Sequence, residues 1–272
     1  MKSLLKLLAM VLVVPLFFIS CDDDSNDPKT VNVLIIVDRA GGTVSTVNTE
    51  TGALTNITTF SFNSTDLTNI RSLAYNEITE MLYAGQNNNG GGQLFEIDPA
   101  TKVATLINDN DDGTGTMEWY GLADIHVVAN GDLKLTTWDF ALDEPVITTI
   151  TTAGIRTGTV QLVDPGEGLA LTMSGSNYLV GDRGQFYEVD NTGATVNTTA
   201  LSGSFSPAIT IADTYVQNFT WIDDVLYTLI YDDNSGNTFV ATLDPTTGEL
   251  TQLSGALASR HHGLTSLPED AL

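Results

Sequence analysis

"QLFEIDPATKVATLI", residues 93–107, reads as a strand, a turn and a second strand. Leu94-Phe95-Glu96-Ile97 alternates and stops at Asp98-Pro99, where an Asp side chain can bond the backbone two residues on and Pro presets the next φ. Nearly the same phrase returns as "QFYEVDNTGATVNTTAL" at 185–201 and "TFVATLDPTTGELTQL" at 238–253, with a weaker copy, "TVSTVNTETGALTNI", at 43–57. A second marker recurs with it: Ser72-Leu73-Ala74, Gly121-Leu122-Ala123, Gly168-Leu169-Ala170, Asn218-Phe219-Thr220 and Gly263-Leu264-Thr265. The central residues of this marker are 49, 47, 50 and 45 positions apart, so near-regular steps cover the chain from Val31 to its end.

Each step holds four short strand-like segments. After the marker come a polar turn and a second strand such as Met81-Leu82-Tyr83-Ala84 or Val225-Leu226-Tyr227-Thr228-Leu229, then the strand–turn–strand phrase. Four antiparallel strands in roughly 40–50 residues are the arithmetic of one β-propeller blade. No segment has a period of 3.6, which excludes a helical solenoid, and a β-sandwich gives no cause for regular spacing. The expected fold is all-β: a propeller of five four-stranded blades, with six as the alternative because the third step, 115–164, is degenerate in its third and fourth strands. The chain enters at Val31-Asn32-Val33-Leu34-Ile35-Ile36, which aligns with the second strand of a blade. Its missing first strand reappears as His262-Gly263-Leu264-Thr265-Ser266-Leu267, so the last strand is expected to complete the first blade and hide two exposed edges.

The tandem "LY", the strand ending in "ID" or "LD", and the "P-x-T-G" turn resemble the YVTN and NHL type of bacterial β-propeller over essentially all of 31–272. That resemblance implies an architecture and leaves function open, because such propellers host binding proteins, scaffolds and enzymes.

The N-terminus speaks to compartment. Lys2 and Lys6 precede an apolar run, Leu7 to Ile19, too short at thirteen residues to span a bilayer and of signal-peptide length. Phe18-Ile19-Ser20-Cys21 resembles the bacterial lipobox, which implies acylation of Cys21, the only cysteine in the chain. The expected organisation is a signal peptide at 1–20, an acidic tether at 21–30 beginning Asp22-Asp23-Asp24, and a propeller at 31–272. An outer-membrane lipoprotein of a Gram-negative cell follows, surface-exposed by preference, with the periplasmic face as the alternative. A formal net charge of −24 excludes nucleic acid and anionic lipid as partners. Membrane contact is then expected through acyl chains alone.

Chemistry-bearing motifs are sparse. Gly-x-Ser-x-Gly, His-Glu-x-x-His and a phosphate loop are all missing, and there are three histidines, His126, His261 and His262. Adjacent residues on a strand point to opposite faces, so at most one of His261 and His262 faces a shared site. Asp124 and His126 are read as polar channel lining ahead of a catalytic pair. Asn108–Gly113 begins like a calcium loop, yet its twelfth position is Trp119 rather than Glu, and Asp232–Gly236 is a shorter match; both read as turns. No metal and no cofactor are expected. Two residues before each marker stand Arg71, Tyr120, Glu167, Gln217 and His262. Five unlike hydrogen-bonding groups around one mouth fit a site for an asymmetric ligand, against the alternative of a wet rim that accepts any polar residue. The expected function is a binding or scaffolding module for a protein or glycan. One rival is a glycoside hydrolase or lactonase-type enzyme using Glu118, Asp124 and Glu167, and another is a structural subunit of a surface assembly.

Overall fold

The computed structural model describes residues 32–88, 91–109, 119–166 and 168–272, with backbone alone at Asn88, Trp119 and Tyr120. The signal segment, Cys21, the acidic tether, Glu118 and Glu167 lie outside the described residues. The chain is a five-bladed β-propeller. Each blade is an antiparallel sheet whose innermost strands are His261–Pro268, Ile70–Asn76, Trp119–Val127, Ala170–Ser174 and Thr214–Ile222, in blades one to five; four of them contain the marker, and the fourth blade's begins at the marker's last residue.

Ring closure is as expected. His261–Pro268 pairs with Asn32–Asp38, which pairs with Thr43–Val47 and then Leu54–Thr59, so the first blade is built from both ends of the propeller. The third blade is complete. Glu144–Ile150 and Arg156–Gln161 supply its third and fourth strands, which leaves five blades rather than six.

The repeated phrase has two physical causes. At the third-to-fourth-strand turns, Asn48, Asp98, Asp190 and Asp244 each accept backbone N–H bonds through one side-chain oxygen, at 2.8–3.4 Å. In the third blade Thr151 takes the same place, its hydroxyl accepting from Ile155 N–H at 3.2 Å. This Thr is why that blade reads as degenerate in sequence. The second cause is the turn glycine. Gly52 and Gly248 hold φ of +66° and +76°, and a Cβ there would meet a backbone carbonyl of the preceding blade's outer region, Leu253 or Ala200, at 2.3 Å. Glycine satisfies the backbone conformation and the blade-to-blade approach together.

Linkers also cover outer edges. Ser202–Ser204, which follows the fourth blade, adds in parallel to the fifth blade's outer strand Glu249–Gln252, and Ser61 does the same beside Val103 in the second. Edges that would template aggregation are thereby paired. Between blades the contacts are apolar: Leu73, Leu82 and Ala84 of the second blade pack with Ile35 and Val37 of the first, while its Tyr83 packs with Leu133 and Leu135 of the third.

Candidate functional site

Strand pairing fixes which residues are equivalent around the channel. The residue before each turn cap pairs inward to Tyr75, Val127, Met173 and Trp221, and to Ser266 in the first blade, so two residues earlier on the inner strands Leu73, Ile125, Leu171 and Phe219 are equivalent to Leu264. Leu171 is fully buried, whereas Leu169 is only half-buried. The marker assignments to Leu122 and Leu169 were therefore out of register, by three residues and by two. β-Bulges in the third blade, between Tyr120 and Leu122 and between Leu122 and Asp124, caused the first slip. The mouth positions are Arg71, Ala123, Leu169, Gln217 and His262, polar on blades one, two and five and apolar on blades three and four. Tyr120 stands farther out, paired with Trp138. The ring of five unlike polar groups is thus corrected to a two-sided mouth.

One step along the channel, Ser72, Asp124, Ala170, Asn218 and Gly263 form the next layer. Asp124 is 0% exposed. One carboxylate oxygen accepts from its neighbour Ile125 N–H at 2.9 Å and Asn218 Nδ2 at 2.8 Å; the other accepts from Leu171 N–H at 2.9 Å and Phe219 N–H at 3.2 Å. Asn218 Nδ2 also donates to Arg71 O at 3.3 Å, and its Oδ1 accepts Gly263 N–H at 2.9 Å. Two side chains thereby tie the inner strands of all five blades. The small Ser72, Ala170 and Gly263 leave them room.

Burial pushes the Asp124 carboxyl up to about 8, against four hydrogen bonds that favour the ionised form. Every contact is a donor, so a proton on either oxygen would displace an N–H and leave it unpaired. Asp124 has no lone pair to offer a substrate. The enzyme reading that grouped it with Glu118 and Glu167 loses this member as an acid or base, because its oxygens are spent on holding blades together. No hydrogen bond among the described residues joins it to His126, whose Nδ1 lies 3.5 Å from Thr172 Oγ1 and whose pKa burial lowers to about 4.

The layer divides the channel. On the His126 side is a pit of about 160 Å³ that includes Tyr75, Glu77, Thr172 and Trp221, below the ~300–1,000 Å³ typical of ligand sites. On the other side is the mouth. A cavity of about 410 Å³ there is lined by Arg71, Gly121, Ala123, Thr137, Trp138, Phe140 and Leu169. Arg71 forms its polar wall.

Beyond Arg71 the mouth turns basic. Arg39, Arg71 and Arg260, three of only ten Lys and Arg in the chain, act on His262 together with His261. The Arg260 guanidinium lies 4.2 Å from the Tyr231 ring centroid and donates to Gln217 Oε1 at 3.2 Å. Burial first, and then the neighbouring charges, hold the His262 imidazole well below its usual range, so the ring is neutral. His262 is 3% exposed and Gln217 2%, so these two positions do not fit the alternative of a wet rim. Among the described residues neither ring nitrogen of His262 has a hydrogen-bond partner, nor does Gln217 Nε2. Their sequence signal was the polar residue two before the marker.

Among the described residues no group of three His, Cys, Asp or Glu is placed to hold a metal ion. Asp232 caps its own turn, accepting from Asn234 N–H and Ser235 Oγ. Most of the Asn108–Gly113 segment lies outside the described residues, though Asn108 Nδ2 donates to Gly154 O at 2.8 Å.

No protein-family model matches the sequence, and no curated protein is detectably similar to it. Solved structures are similar in fold. The nidogen/laminin complex contains a chain 15% identical, over 87% of this chain and 98% of that one, with a TM-score of 0.50. A gluconolactonase from Xanthomonas campestris is 15% identical over 81% and 71%, with a TM-score of 0.48. A protein of unknown function from Bacteroides caccae is 10% identical over 82% and 73%, also at 0.48. At these identities the likeness is one of fold.

Proposed function

We propose that this β-propeller is a binding module, lipid-anchored at the surface of a Gram-negative cell through Cys21, that holds a protein or glycan partner at the Arg71–Gln217–His262 mouth. The observation that carries this reading is the contrast between two neighbouring layers. In the inner layer every polar atom of the Asp124 and Asn218 side chains is hydrogen-bonded, and Ser72 Oγ alone of that layer's side-chain polar atoms lacks a partner among the described residues. One step outward, Gln217 and His262 are nearly as deeply buried, yet keep nitrogens without partners among the described residues. A buried polar atom left unpaired costs about 1–3 kcal/mol, and such costs gather where binding rather than folding sets the residue.

The test is a glycan and surface-protein binding screen on wild type and on Arg71→Ala, Gln217→Ala and His262→Ala, with thermal melts run alongside. Truncating groups of this kind at a binding centre costs roughly 2 kcal/mol or more, about thirtyfold in affinity. Ligands bound equally by wild type and all three variants would contradict the reading. The anchor is tested separately. Cys21→Ala is expected to accumulate as unprocessed precursor or to leave the detergent-soluble membrane fraction, and normal processing with normal retention would contradict it.

A further inference from the structure

The pit on the His126 side of the Asp124 layer is lined by the inner strands of all five blades, and its volume is about 160 Å³. A cavity of about 150 Å³ admits benzene, so a body of about five or six non-hydrogen atoms fits here. Two aromatic side chains stand at equivalent places in its wall. Tyr75 of blade two and Trp221 of blade five share one layer, with Ser266 of blade one between them. Both are partly buried, each packed against a blade core. Trp221 Nε1 donates to Met173 O at 3.1 Å, and Tyr75 N–H donates to Thr265 Oγ1 at 3.2 Å, which fixes both in place.

The charge at this end is negative. Glu77 lines the pit, and burial followed by Glu80, Glu77 and Asp270 raises the Tyr75 hydroxyl above its ordinary value. His126 is in the same wall and is neutral, because burial lowers it to about 4. Lys134 pairs with His126 across the sheet, yet its ammonium turns away to Thr149 Oγ1 at 2.6 Å. The field at this end therefore favours a cation.

The hydroxyls narrow the kind of cation. Thr172 Oγ1 lies 3.5 Å from His126 Nδ1, Thr265 Oγ1 already accepts Tyr75 N–H, and Ser266 Oγ donates to Trp221 O at 3.3 Å. The Asp124 carboxylate beyond them is closed by its four donors. A primary ammonium needs acceptors for its three N–H groups. A quaternary ammonium needs none, and is drawn by aromatic rings and a negative field.

We propose that the pit binds a small quaternary ammonium ion, with Tyr75 and Trp221 as its aromatic walls and Glu77 as the acidic group at its edge. The site is separate from the mouth and does not depend on the reading of the mouth as the binding end.

Calorimetric titration of the folded protein with choline and with dimethylbutanol, the uncharged alcohol that has a tert-butyl group in place of the trimethylammonium, tests it. Choline is expected to bind more tightly than the alcohol by about tenfold or more. Tyr75→Leu should weaken choline by about tenfold or more. Glu77→Gln, at an exposed position, should weaken choline severalfold and leave the alcohol unchanged, and it carries the test if Tyr75→Leu does not fold. The alcohol binding as tightly as choline would overturn the proposal, as would a choline affinity indifferent to the variants. An absence of heat with choline would overturn it too, and would make the pit a place for water alone.

Discussion

Asp124→Asn is expected to lower folding stability by about 3 kcal/mol, and Asp124→Ala by about 5 kcal/mol, on the cost of stranding buried donors. The asparagine keeps the shape of the side chain but replaces one acceptor oxygen with a donor. Whichever way the amide turns, two N–H groups face an NH₂: either Ile125 N–H and Asn218 Nδ2, or Leu171 N–H and Phe219 N–H. Alanine strands the donors of both oxygens and opens a cavity as well. Losses of this size are a large part of the ~5–15 kcal/mol that holds a domain folded. The variant also separates structure from chemistry. An acid or base kept for turnover is commonly replaced with neutral or positive effect on stability, so an Asp124→Asn protein as stable as wild type would return Asp124 to the list of reacting groups. Denaturant unfolding measures the difference.

Removal of residues 260–272 is expected to abolish folding at the temperatures where wild type is stable. The deletion takes the strand that pairs with Asn32–Asp38 from Asn32↔Pro268 to Asp38↔His261. With it go Leu264 and Leu267, each 1% exposed, at about 1.5–3 kcal/mol of burial apiece. The inner-strand bonds from Gly263 N–H to Asn218 and from Tyr75 N–H to Thr265 are lost too, at 2.9 and 3.2 Å. A blade stripped of its inner strand exposes an edge to the channel and to other chains. Circular dichroism and light scattering report the outcome, and a truncated chain that melts with wild type would contradict ring closure. Deleting only 269–272 leaves the strand intact and should cost about 1–2 kcal/mol, through the hydrogen bond that Lys102 Nζ donates to Leu272 O at 2.7 Å and the partly buried packing of Ala271 and Leu272.

The propeller was legible because its turns obey local chemistry. An Asx cap at 48, 98, 190 and 244, with a glycine four residues after the caps at 48 and 244 and three after the cap at 190, is a property of short segments, and it repeats. Thr151 does the same work with a hydroxyl, so the third blade looked degenerate although its strands are regular. The mouth was half legible. Arg71, Gln217 and His262 were found by counting back from a marker, and the count failed at blades three and four. Bulges in Trp119–Val127 add residues without adding pairs, and the alternative "Gly168-Leu169-Ala170" resembles the true "Ala170-Leu171-Thr172" too closely for spacing to choose. The Asp124–Asn218 tie left no trace in the pattern. Its partners on the backbone of other blades are N–H and C=O groups 45 to 147 positions away, and backbone groups have no sequence signature.

Two buried polar groups, one layer apart, are assigned opposite roles: Asp124 holds the ring together and His262 waits for a ligand. The most direct measurement compares the unfolding free energies of Asp124→Asn and His262→Leu, side by side with wild type and without added ligand. Leucine is close to histidine in volume and removes two buried nitrogens that lack partners among the described residues, so His262→Leu is expected to raise stability by about 1 kcal/mol, while Asp124→Asn lowers it by about 3 kcal/mol. Opposite signs are the predicted result. If His262→Leu lowers stability as much as Asp124→Asn does, the mouth is part of the fold's own scaffolding and the assignment of a binding site there is contradicted.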